Sequence, residues 1–124
     1  MGGNMANIKV IRGDTLNIAV VNILIEMDDG SFYPISGEDR FTFSICMPRN
    51  KPILQRRFPE NMQLVNGNDL LMTFSPEETE TLKCLNYDYD CKFDYKGKGE
   101  DIYTIARGEL QVYESATKLA GGSA

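Results

Sequence analysis

The side chains of this 124-residue chain best placed for chemistry are Asn86, Asp88, Asp90 and Asp94, oxygen donors closely spaced along one segment. Hard cations such as calcium are held by clusters of such oxygens. A calcium loop must also turn sharply to wrap its ligands around the ion. Here Cys91 stands directly after Asp90, where the EF-hand pattern needs glycine. Read as a strand, the segment sets its acids along one solvated face with Lys92 among them, so no metal site is expected. The three cysteines, Cys46, Cys84 and Cys91, form no Cys-x-x-Cys pair and are expected to be free thiols. Histidine is absent, which removes Ser-His-Asp and Cys-His catalysis and imidazole ligation. No paired carboxylates are spaced for glycoside hydrolysis. The expectation is a non-enzyme with no catalytic residues, no cofactor and no metal.

Three further motifs have a plain reading beside a sharper one. Arg12-Gly13-Asp14 spells an integrin tripeptide, but it lies between two strand-like runs, where Gly13 more simply permits a kink. Met47 to Phe58 carries Arg49, Lys51, Arg56 and Arg57 with no acid among them. It lacks the glycines of a phosphate loop and the interleaved aromatics of a base-stacking surface. A solvated edge strand whose charges oppose aggregation is the better reading, with a protein-docking edge second and nucleic acid third. Tyr87, Tyr89, Cys91, Phe93 and Tyr95 could stack sugars if exposed, yet their strict alternation points to core packing, with Tyr87 or Tyr89 as a corner tyrosine bonding backbone.

The elements that must position these residues follow a period of two. Phe41, Phe43, Ile45 and Met47 share a face, as do Leu70, Met72 and Phe74 before Pro76. Two segments change phase partway. Thr15 to Glu26 shifts from Leu16, Ile18 and Val20 to Val21, Ile23 and Ile25, which predicts a bulge or a strand buried on both faces. Asp101 to Tyr113 shifts from Tyr103 and Ile105 to Leu110 and Val112, with a bulge expected around Gly108. Asp28-Asp29-Gly30 and Asn66-Gly67-Asn68-Asp69 are turn signals, and Pro48, Pro52 and Pro59 bracket a strand near Ile53 to Phe58. Only Pro76 to Leu85 looks helical, a turn or two capped by Ser75 with acids near its N-terminus.

About seven strands with regular turn signals predict an all-β fold, an antiparallel immunoglobulin-like β-sandwich with one short helical turn. The usual inter-sheet disulfide is missing, because Thr15 to Glu26 holds no cysteine and Cys46 and Cys91 fall on opposite faces. The reading is one domain over residues 8–115, with flexible ends at 1–7 and 116–124. No apolar stretch approaches the ~20 residues of a spanning helix, and no signal-peptide pattern precedes the strands, so a cytoplasmic protein without membrane contact is expected. The net charge is −5, and the excess acid lies after residue 62, which argues against nucleic acid.

The order of these features resembles small β-sandwich domains of tailed-phage and prophage structural proteins, most nearly the N-terminal domain of baseplate upper proteins. The resemblance runs from Ile8 to Thr117, through Arg12-Gly13-Asp14-Thr15, the Asp-Gly turn and the Phe-Thr-Phe strand. It continues through Leu71-Met72-Thr73-Phe74-Ser75-Pro76-Glu77-Glu78-Thr79, Tyr87-Asp88-Tyr89-Asp90 and Gly108-Glu109-Leu110-Gln111-Val112. It departs in the link Lys83 to Asn86 and in Cys84 and Cys91. The resemblance implies a building block that docks on other phage structural proteins, alone or as a homo-oligomer, and resides in the virion once assembled. The alternatives are a carbohydrate-binding module using exposed tyrosines and, third, an enzyme with an all-carboxylate or metal-dependent site.

Overall fold

The computed structural model describes residues 4–47 and 51–115. Eight strands form in chain order: β1 (Asn4–Ile11), β2 (Leu16–Val20), β3 (Arg40–Cys46), β4 (Pro52–Phe58), β5 (Gln63–Val65), β6 (Asp69–Phe74), β7 (Asn86–Asp94) and β8 (Ile102–Tyr113). One helix, α1 (Pro76–Glu80), links β6 to β7, and a 3-10 turn at Tyr95–Gly97 follows β7. The expected count of seven missed β5, a three-residue strand paired to β6 across a turn in which Asn66 and Gly67 both take positive φ. β1 begins at Asn4, so residues read as a flexible terminus pair in parallel with β8 from Ala106 onward.

Two sheets stack. One runs β1-β8-β7-β3-β4 and the other β2-β6-β5. All pairings are antiparallel except β1 with β8. β2, β6 and β5 stand as B, E and D of an immunoglobulin sandwich and β3, β7 and β8 as C, F and G, so the molecule is an immunoglobulin-like β-sandwich. The hydroxyl of buried Tyr87 accepts the Lys83 amide at 2.8 Å, the bond that pins the corner entering strand F. Of the two tyrosines expected for this role, Tyr87 fills it.

Rings close the core where the disulfide is missing. Phe43 stacks on Tyr89 at 5.4 Å between centroids and lies 6.1 Å from Phe74. Phe41 lies 5.2 Å from Phe93 and 5.9 Å from Phe58. Burying each such side chain is worth about 1.5–3 kcal/mol. Cys91 is fully buried among them, Cys46 is half-buried and Cys84 exposed, all as free thiols.

Both phase changes are real, but their causes differ from expectation. In the first segment β2 ends at Val20, and Asn22 enters the left-handed region at φ 55°, held by Asp69 Oδ1 on its amide. That residue resets the alternation, so Ile23 and Ile25 return to the core of Leu16, Ile18 and Val20, while Val21 is exposed. It is neither a bulge nor a strand buried on both faces. In β8 the bulge falls at Ile105, not Gly108: Cys91 pairs with Ala106 and Lys92 with Thr104. Ile105 and Ala106 are both buried as a result.

Candidate functional site

The acids of β7 point away from the core and are not gathered. Asp88 lies opposite Glu109 and Cys46, and Asp90 opposite Arg107 and Ser44. Asp94 closes the following turn by accepting the Gly99 amide on both oxygens, at 2.9 and 3.1 Å. Among the described residues no three carboxylates or thiols converge as metal ligands. Partial burial, with Asp90 and Asp88 alongside, raises the Cys46 thiol pKa. Burial pushes that of Cys91 up to about 12.

The Arg12-Gly13-Asp14 motif is the inner half of a joint. Arg12 Nε donates to the Leu82 carbonyl at 2.9 Å, and its guanidinium faces Glu80 and Glu114. Gly13, at φ 88°, donates its amide to Thr79 Oγ1 at 3.1 Å, and that hydroxyl donates to the Asp14 carbonyl at 2.7 Å. A Cβ on Gly13 would stand 2.7 Å from Glu80 Oε2, which adds crowding to the strain of its backbone. Thr79 belongs to α1, whose start is a capping box: Ser75 Oγ accepts the Glu78 amide and Glu78 Oε1 accepts the Ser75 amide. Two stretches more than sixty positions apart therefore meet as one hydrogen-bonded unit.

The basic stretch divides. β4 is the outermost strand of the larger sheet, as an edge reading requires. Arg49 lies outside the described residues. Lys51 and Arg57 are exposed. Arg56 turns back onto the smaller sheet: its guanidinium covers the Phe74 ring at 4.2 Å, donates twice to the Thr73 carbonyl and pairs with Glu78. That hydrogen bond holds the Glu78 carboxyl below the usual range. The edge is also blunted, because Asn61 takes the Arg57 amide on its side chain while its own amide binds the Arg57 carbonyl. Exposed Ile53 bulges out between Leu54 and Pro52.

The tyrosine ladder is core through Phe93, and the accessible tyrosines lie elsewhere. A groove of about 310 Å³ opens at one end of the sandwich, walled by Met27, Tyr33, Phe93, Tyr95 and Tyr103. Glu26, Asp28 and Asp101 also line it. Its Tyr33 wall is anchored by Asp39, which is 0 % exposed. Asp39 Oδ1 accepts the Tyr33 hydroxyl at 3.1 Å and the Lys96 amide at 2.9 Å, and Oδ2 accepts the Ser36 amide at 2.8 Å. Those bonds seat the Tyr33 ring edge-on to Tyr95 at 5.3 Å. Burial, then the bond to Asp39, raises the Tyr33 pKa. Sequence reasoning missed this groove because its walls come from four separate stretches, and no local pattern marks Asp39 as buried.

No family model matches the chain, and no curated protein is similar to it in sequence. Among solved structures it is similar to the ZIG-8–RIG-5 IG1–IG1 heterodimer, with a TM-score of 0.46 and 11% identity, over 90% of this chain and 84% of that one.

Proposed function

We propose that this chain is a non-enzymatic docking module of a phage or prophage particle, made in the cytoplasm and built into the tail or baseplate. The observation that carries the docking surface is β4, an outermost strand that presents Ile53 and Arg57 to solvent, with exposed Lys51 directly before it, on a chain of net charge −5. A basic edge with an apolar centre suits an acidic neighbour, which supplies both orientation and steering. The motif order supports the phage setting. Its test is mass spectrometry of purified particles induced from the source organism, comparing the native chain with a Lys51→Glu/Arg57→Glu variant. The native chain is expected at fixed stoichiometry with tail proteins, and the variant is expected to be depleted from particles while its folded spectrum is unchanged. Absence of the native chain from particles overturns the setting, and equal incorporation of the variant overturns the edge. Arg56 is left intact in this test because it holds the two sheets together. The second reading, carbohydrate binding, has one observation in its favour: Tyr103 is half-exposed at a groove shared with Tyr33 and Tyr95.

A further inference from the structure

The end groove combines two features that together specify a ligand chemistry. Its walls are aromatic and apolar, and its carboxylates are acceptors without built-in cations: among the described residues, ion pairs involve Glu78, Glu80 and Glu114, not Glu26, Asp28 or Asp101. Aromatic faces attract cations through their quadrupole, and a long cationic side chain lays its apolar stem along such rings while its head stays polar. Lys96 shows the same chemistry within the chain, with its ammonium 5.7 Å from the Tyr95 centroid. A sugar fits less well. Carbohydrate hydroxyls need donors as well as acceptors, yet the rim carboxylates only accept and the Tyr33 hydroxyl is already given to Asp39. That leaves the Tyr95 and Tyr103 hydroxyls as the side-chain donors of the lining residues.

We propose that this groove binds an arginine or lysine side chain presented by an apolar segment of a partner protein, its stem against Tyr103 and Met27 and its charge among Glu26, Asp28 and Asp101. Asp39 already holds Tyr33 and, through the Lys96 amide, the turn that carries Tyr95, so those two rings need not reorganise, which lowers the ordering cost of binding. These residues are separate from the Lys51–Arg57 edge, so the inference stands or falls independently of the docking edge.

The test is an amide NMR titration of the full chain with an acetylated and amidated Ala-Leu-Arg-Leu-Ala peptide and its Glu-for-Arg counterpart, at millimolar concentration. The arginine peptide is expected to shift the amides of Ile25, Met27, Tyr33, Asp101 and Tyr103, and the glutamate peptide to leave them in place. Asp28→Asn/Asp101→Asn is expected to weaken the response at least fivefold, and added salt to weaken it further. Tyr103→Ala, at a side chain already 49% exposed, is expected to abolish it while the remaining amides keep their positions. Equal shifts from both peptides, no shift at these amides, or a response to maltooligosaccharides in place of the peptide would each overturn the proposal.

Discussion

At the joint between the β1–β2 turn and α1, the Gly13 amide and the hydroxyl oxygens of Thr79 and Ser75 are all bonded within the chain. At the end groove, Asp39 is answered just as fully, while the carboxylates of Glu26, Asp28 and Asp101 are left facing water beside aromatic rings. Both regions join polar side chains to apolar packing. The joint turns its hydrogen-bonding capacity inward, where an unmet partner would cost stability. The groove turns part of its capacity outward, where it is available to a ligand. The same residue type can therefore serve the fold or a partner, and burial decides which.

Four substitutions would break or sharpen that contrast. The largest effect is expected at Asp39→Ala, which strands the Tyr33 hydroxyl and the Ser36 and Lys96 amides. It should cost about 3 kcal/mol or more in urea unfolding and loosen the Tyr33 and Tyr95 rings. Retention of native stability would show that Asp39 is not a structural node. Next comes Thr79→Val, matched in shape but without the hydroxyl. It strands the Gly13 amide and the Asp14 carbonyl and should cost about 2 kcal/mol. A loss of only a few tenths would mean that water replaces the hydroxyl and that the joint is wetter than its burial implies.

Arg56→Gln should cost about 1–2 kcal/mol at neutral pH, through its bonds to Thr73 and Glu78. The Glu78 carboxyl is held below its ordinary value, chiefly by the hydrogen bond from Arg56. Its stabilising contribution is therefore complete above the unfolded value of about 4.3 and fades as pH falls through the lower folded one. Unfolding curves of the native chain and the variant should accordingly draw together in acid. A constant gap would assign the effect to the Thr73 and Phe74 contacts alone. The smallest effect on stability is expected for Tyr103→Ala, about 0.5 kcal/mol or less by thermal melting. A large loss there would return Tyr103 to the core and remove the groove's reason to bind anything.

Much of the fold was legible because alternation and turn chemistry are local. Phe41, Phe43 and Ile45 on one face and Leu70, Met72 and Phe74 on another needed only the strand period. The Ser75 cap and the short helix needed only residue type and order. The misplaced features were those decided by one residue's backbone or by a partner strand. Asn22 carries no local mark that separates a left-handed reset from a bulge. The site of the β8 bulge was fixed by its register against β7, and Gly108 was a plausible but wrong locus.

The sequence by itself determined an all-β chain, free thiols, a helical turn after Ser75 and an aromatic core, since each depends on periodicity or on neighbours within a few positions. Tertiary structure alone decided that Arg56 serves the fold while Lys51 and Arg57 face solvent, and that the backbone of Gly13 and Asp14 is bonded to the Thr79 hydroxyl. It alone also brought Tyr33, Tyr95 and Tyr103 to one groove, with Tyr33 anchored on Asp39. Those outcomes depend on which distant groups meet, and burial, charge pairing and hydrogen-bond satisfaction are properties of the meeting and not of the residue.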